Sequence, residues 1–201
     1  MLLAFDGAAI DGSAYTDVVD LAHRSPAWLD ELVSAWSTYG LALFAVLMVV
    51  GWWRARHVGS RAAVIALTAP VTVVVAYAVD DALKLVVRED RPCQSLRVAT
   101  LEACPAPGDW SFPSNHAATA AAAAVALLFV SRRLGAVASS AAVAMAASRV
   151  WVGSHYPHDV VAGLAVGALV ALLLTAAVRS RPDTLVRRLS ATWLRPLLVD
   201  P

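Results

Sequence analysis

Five apolar stretches, at about residues 35–53, 62–83, 116–130, 134–152 and 159–178, restrict the folds open to this chain more than any other feature. A helix rises about 1.5 Å per residue, so stretches approaching or exceeding roughly 20 residues match a hydrocarbon core about 30 Å thick. They are rich in Ala and Leu and lack period-two alternation, which argues against membrane strands. With 59% hydrophobic and 15% charged residues in 201, the composition lies outside the range of soluble globular proteins, and the length suits one domain. The expected fold is all-α: an integral membrane helical bundle of about five transmembrane helices, preceded by N-terminal interfacial helices. Pro70 marks an expected kink in the second span.

The chain divides into three parts. Residues 1–34 mix Asp17, Asp20, Asp30 and Glu31 with Val18, Leu21, Trp28 and Leu32 and read as an amphipathic interfacial segment, broken at Ser25-Pro26. Residues 35–178 form the transmembrane domain, and residues 179–201 a basic tail on the membrane surface. The start, Met1 to Phe5, lacks a basic region and soon meets Asp6 and Asp11, so no cleavable signal peptide is expected. Arg54, Arg56 and Arg61, then Arg132 and Arg133, then Arg179, Arg181, Arg187 and Arg188 fall on alternate connections, which the positive-inside rule makes cytoplasmic. The acidic N-terminus, the 84–115 loop and the short 149–158 connection then meet on the extracytoplasmic side of a multi-pass plasma-membrane protein. A net charge of +1 argues neither for nor against nucleic acid, but no basic patch interleaved with aromatics is present, so no nucleic-acid partner is expected. Small residues at 117–124, 139–147, Gly163 and Gly167 are read as close helix packing.

Chemistry concentrates in three patches on the outer side. Lys84 and Arg91 are seven residues apart, two helical turns, so a continuing helix would present both cations on one face until Pro92 ends it. Pro113-Ser114-Asn115-His116 opens a helix, whose free N–H groups and positive dipole end suit an anion, with Ser114 adding a hydroxyl and His116 a transferable proton. Arg149 offers a planar fork for two phosphate oxygens. His155 and Asp159, four apart, allow the carboxylate to hold one ring nitrogen and leave the other aimed at a ligand. Taken singly, such residues are more often snorkelling or solvated groups; it is the joint spacing that points to function.

These patches, Lys84-x6-Arg91-Pro92, Pro113-Ser114-Asn115-His116 and Ser148-Arg149-x5-His155-x3-Asp159, resemble the signature of the type 2 phosphatidic acid phosphatase superfamily over about residues 62–178. Asn115 stands where that signature has Gly, and Asn is the residue that next most readily takes a left-handed backbone. The resemblance implies a metal-independent phosphatase without cofactors: His155 is the nucleophile, Asp159 orients it, and His116 is general acid and then base. Lys84, Arg91, Ser114, Asn115 and Arg149 would bind the phosphate. The implied substrate is a lipid phosphate or pyrophosphate reached from among membrane lipids, and short members with an outward site most resemble bacterial undecaprenyl pyrophosphate phosphatases. Phosphatidic acid, phosphatidylglycerol phosphate and prenyl-linked sugar phosphates are the alternatives. A vanadium haloperoxidase has a similar pocket in a soluble protein, and a scaffold or transporter would need none of the three motifs. The sequence carries no reading of oligomeric state.

Supporting roles are expected for Asp80, pairing with Lys84 one turn away, for Pro113, and for His158 beside the third motif. Cys93 and Cys104 share the long outer loop, where a disulfide closing about a dozen residues is worth roughly 3 kcal/mol. Trp110 and Phe112 are read as touching the lipid chain or anchoring at the interface, and Trp52, Trp53 and Trp193 as interface anchors.

Overall fold

The structure is a computed structural model that describes residues 6–198. The expectation of no cleavable leader at Met1 to Phe5 lies outside the described residues, as do the last three residues of the tail. The described chain is all-helical: α1 (Ala8–Arg24), α2 (Ala27–Tyr39), α3 (Leu41–Val58), α4 (Ser60–Val87), the short α5 (Pro92–Ser95), α6 (Asn115–Val130), α7 (Arg132–Trp151), α8 (Pro157–Ser180) and α9 (Pro182–Ser190). Four of these, α3, α4, α7 and α8, are long and apolar enough to cross a membrane, and α6, with 16 residues, is a shorter apolar helix among them. The first spanning helix begins at Leu41, later than the expected Ala35, because α2 continues through Tyr39 and the chain turns at Gly40.

Helix α6 is the centre of the bundle. Ala117, Ala118 and Ala120 through Ala124 are all buried, on every side of the helix, because α3, α4, α7 and α8 each pack against it. Side chains this small let backbones approach closely, and in lipid such packing, not water exclusion, drives association. The closest approach is made by α8. A Cβ built on Gly167 would lie 2.0 Å from the Ala118 carbonyl oxygen, and one on Gly163 would lie 2.5 Å from the carbonyl oxygen of Ser114. Those obstacles are backbone, so Gly167→Val is expected to push α8 off α6 and cost about 3 kcal/mol, the upper end of ordinary overpacking. Thermal unfolding in detergent, with a large drop in midpoint, checks this.

At the opposite end from the motifs, α9 folds back under the bundle. Arg61 forms a two-point ion pair with Asp183 at 2.6 and 3.0 Å, and the Trp52 indole donates to the Leu197 carbonyl at 2.9 Å. Helices α1 and α2 do more than lie in an interface, since both dock on the motif-bearing loops. The Tyr15 hydroxyl donates to the Gly153 carbonyl at 2.9 Å, and the Trp151 indole to Asp30 Oδ1 at 2.9 Å.

Candidate active site

All three motif patches reach one cavity of about 610 Å³, lined by Lys84, Arg91, Asn115, His116, Arg149 and His155. The route by which Lys84 and Arg91 get there differs from the expected one. Helix α4 stops at Val87, and Arg88 takes a left-handed backbone (φ 53°, ψ 51°) that turns the chain, so Arg91 reaches the cavity from the loop and not from the same helix face. Pro92 does not end a helix but starts α5, where its missing N–H costs no hydrogen bond.

Each cation is held by carbonyl, carboxylate or hydroxyl oxygens around the cavity. Lys84 Nζ donates to the carbonyls of Trp110 and Ser111 at 2.7 and 3.1 Å. Arg91 donates to the Asp109 carbonyl, to Asp109 Oδ1 and to the Ser154 carbonyl, each at 2.9 Å. Arg149 donates to Ser37 of α2 and, at 3.1 Å, to Glu102 Oε1, while its buried Nε has no partner among the described residues. Three anchored guanidinium and ammonium groups around one space form a site for a multiply charged oxyanion.

Helix α6 adds backbone donors. Its N-cap, Ser114, makes no side-chain capping bond, leaving the N–H groups of the first turn open toward an anion. The buried Ser114 Oγ and Asn115 Oδ1 likewise have no partner among the described residues. Asn115 is the first residue of α6 and is not among the residues with positive φ, so the expected left-handed backbone is not used and Asn replaces Gly here without strain.

His155 is buried in the turn between α7 and α8. Its Nδ1 lies 3.4 Å from Asp159 Oδ2 and 3.4 Å from Ser111 Oγ, and its Nε2 faces Arg91 Nη1 at 3.4 Å beside the cavity. Burial, joined by the charges of Arg91, Lys84 and Arg149, holds the imidazole well below its ordinary range, so it is neutral near pH 7 and carries a free lone pair. Asp159 sits behind it, fully buried, with Oδ2 accepting from Ser111 Oγ at 2.5 Å and from the Tyr156 N–H at 2.8 Å. The Ser114 N–H donates to the Asp159 carbonyl at 3.1 Å and ties the second motif to the third.

Two expected supporting residues sit elsewhere. Both oxygens of buried Asp80 lack a hydrogen-bond partner among the described residues, so the expected pair with Lys84 is not formed; the ammonium reaches upward to the loop carbonyls instead. His158 points toward α1, meeting Asp11 and Glu89, and is absent from the cavity lining. The Phe112 ring stacks on that imidazole, with centroids 5.9 Å apart. Cys93 and Cys104 are bonded, with sulfurs 2.03 Å apart, linking α5 to the loop just beyond Glu102.

Glu102 and Ser111 are functional candidates that the motifs do not contain. Glu102 lines the cavity and gathers Ser37, Arg149 and Ser154, at 2.7 Å, 3.1 Å and 2.8 Å. Burial pushes its carboxyl up, but the Arg149 charge and the hydrogen bonds from Ser37, Ser154 and Arg149 outweigh this and leave it below the usual range. An ionised carboxylate there opposes a bound phosphate. Glu102→Gln is expected to strengthen inhibition by inorganic phosphate about tenfold, roughly 1.4 kcal/mol, measured as an inhibition constant.

Residues 63–183 match the PAP2 superfamily. The chain belongs to that superfamily. Among its relatives, the undecaprenyl-diphosphatase BcrC of Bacillus subtilis (strain 168) is 32% identical over 153 residues, 76% of each chain. The lipid A 1-phosphatase of Rhizobium johnstonii is 46% identical over 85 residues, 41% of this chain and 34% of that one. The decaprenylphosphoryl-5-phosphoribose phosphatase of Mycobacterium tuberculosis is 37% identical over 101 residues, 50% of this chain and 54% of that one. The fold is also that of a transmembrane PAP2-type phosphatidylglycerolphosphate phosphatase from Bacillus subtilis, with a TM-score of 0.56 and 21% identity over 85% of this chain and 87% of that one. This PAP2 protein is therefore a multi-pass membrane lipid phosphatase of a metal-independent hydrolase family.

Proposed function

We propose that the enzyme hydrolyses a polyprenyl diphosphate, undecaprenyl diphosphate to the monophosphate, at the extracytoplasmic face through a phosphohistidine on His155. The observation that carries this is the shape of the cavity. From the cluster of Lys84, Arg91, Arg149, His116 and His155 it extends to Leu41 of α3 and to Val73, Val74 and Tyr77 of α4, side chains suited to an apolar tail entering from the bilayer. Val74 and Tyr77 are themselves exposed on the bundle surface. The relation to BcrC over three quarters of both chains supports the diphosphate. The arginines at the α3–α4 and α6–α7 connections and around α9 support an outward-facing site.

The chemistry runs in two displacements. Nε2 of His155 attacks the terminal phosphorus while Asp159 holds Nδ1–H and offsets the positive charge growing on the ring. The bond from phosphorus to the leaving oxygen breaks as His116 donates its proton, and the lipid monophosphate departs. Water then attacks the phosphohistidine, giving its proton to His116; the P–N bond breaks and His155 is restored as inorganic phosphate leaves. Lys84, Arg91, Arg149 and the open N–H groups of α6 hold the three equatorial oxygens through both steps.

The test is phosphate release by purified protein in EDTA across undecaprenyl diphosphate, phosphatidic acid, phosphatidylglycerol phosphate and a prenyl-linked sugar phosphate. The diphosphate is expected to give the highest kcat/KM. A higher value for any of the other three moves the substrate assignment, and loss of activity in EDTA that Mg²⁺ restores overturns the mechanism.

A further inference from the structure

His158 is the meeting point of four separate pieces of the chain, and the mechanism above does not use it. From α1, Asp11 Oδ1 faces Nδ1 of His158 at 2.7 Å while Asp11 Oδ2 accepts the His158 backbone N–H at 2.7 Å. From the segment after α4, Glu89 presents both oxygens to Nε2, at 2.9 and 3.2 Å. From α8 itself, Asp159 Oδ1 lies 3.4 Å from the same Nε2. The ring is stacked between Tyr156 and Phe112, with centroids 5.4 and 5.9 Å away. Asp11, Glu89 and Asp159 are thus the ionisable groups facing this imidazole, and all are carboxyl groups.

A neutral imidazole has one N–H and one lone pair, so it satisfies only one of two carboxylates placed at hydrogen-bond distance from its two nitrogens. An imidazolium satisfies both. Glu89 is fully buried, and a buried carboxylate with no cation beside it is costly, which gives the ring proton a further purpose. The arrangement is built tightly. A Cβ on Gly7, at the start of α1, would fall 1.8 Å from Glu89 Oε1 and 2.8 Å from His158 Cε1, so the entry to α1 closes directly over the pair. At Asp11 the backbone leaves helical geometry (φ −146°, ψ 27°), and it is the side chain of this residue that reaches the first turn of α8.

We propose that His158, held as an imidazolium between Asp11 and Glu89, is a positioning residue that keeps Asp159 ionised and so keeps His155 oriented for attack. Asp159 Oδ1 has no hydrogen-bond partner among the described residues, and the His158 ring is the cation facing it. Without that charge, two buried carboxylates, Glu89 and Asp159, remain beside one another and the proton affinity of Asp159 rises. A protonated Asp159 no longer attracts Nδ1–H of His155 as a charge. Helix α1 then belongs to the catalytic unit, because Asp11 supplies one of the two anions that hold the proton on His158.

The inference rests on the roles given above to His155 and Asp159, and its test separates the two. Rate–pH profiles of the full-length enzyme are compared for wild type, His158→Gln and Asp11→Asn. Removing the cation makes Asp159 protonate at higher pH, so His158→Gln is expected to move the acid limb of kcat up by about one pH unit and to lower kcat about tenfold with KM unchanged. Removing an anion loosens the ring proton, so in Asp11→Asn the His158 ring is expected to titrate about one pH unit lower than in the wild type, followed by NMR of the labelled histidine ring. A purely structural His158 would lower the unfolding temperature without moving the acid limb, and that result overturns the proposal. Should His158→Gln fail to fold, Asp11→Asn decides alone: an unmoved titration of the His158 ring sinks the proposal. So does a bound metal that His158→Gln releases, since a ligating nitrogen carries no proton. Full activity in His155→Ala would instead sink the mechanism on which the inference depends.

Discussion

His155→Ala is expected to lower turnover of every lipid phosphate by on the order of 10⁴–10⁶-fold, the scale seen when a nucleophile is removed from a covalent mechanism. The size follows from what the imidazole supplies. It is the neutral group whose free nitrogen borders the cavity between the cations, and its other nitrogen is directed by Asp159. Alanine keeps the His155 backbone N–H, which donates to the Arg149 carbonyl at 3.2 Å, so the turn retains its shape and Arg149 its place. The loss should therefore lie in kcat, with little change in binding of inorganic phosphate and an unchanged elution profile in detergent. Rapid-quench single-turnover assays measure it. Ample residual turnover would remove His155 from the nucleophile's role.

The second large effect is expected at His116. General acid–base catalysis contributes about 10²–10⁴-fold, and the alkoxide leaving from a lipid monophosphate such as phosphatidic acid needs the proton, just as the water of the second displacement needs a base. His116→Ala should lose activity on that scale against the lipid. Against an aryl phosphate whose leaving group departs unprotonated, the first displacement should survive while the second, which needs a base for water, stays slow. The enzyme then accumulates in the phosphorylated form, seen as a burst of aryl alcohol followed by a much slower steady rate. Equal loss on both substrates with no burst would assign His116 to binding instead. His116 lies on the first turn of α6 and lines the cavity with Lys84, Arg91 and Arg149, so the fixed cations can hold the phosphate charge and leave His116 for proton transfer.

What could be read from the chain in advance depended on whether the interaction was local or periodic. The spans were legible because a bilayer imposes length and apolarity on each segment independently. The motif residues were legible because catalysis requires several side-chain types at fixed spacing, and a family resemblance condensed those requirements. Arg91 was placed in the right company by the wrong route, since spacing alone cannot reveal the left-handed turn at Arg88 that replaces a continuing helix. Glu102 escaped because it acts on Arg149, 47 residues away, from an irregular loop, with no local pattern to mark it. Ser111 lay two residues from Pro113, within sight of the motif, but its bond to Asp159 spans 48 residues. Asp80 was assigned a partner by helical spacing, whereas Lys84 found loop carbonyls closer to the cavity. The N-terminal helices were read as interfacial because their mixed polarity fits a water–lipid boundary. That polarity also includes Asp11, Asp30 and Ser37, each bonded to the end of the bundle that carries the motifs.

The most direct measurement is to quench the wild-type enzyme during turnover of a lipid substrate labelled in its terminal phosphate, digest it at high pH, and map the labelled peptide. The account predicts a single acid-labile, alkali-stable phosphate on His155. A label on His116 or His158, or no covalent label when the quench is fast enough to catch the turnover, would contradict it.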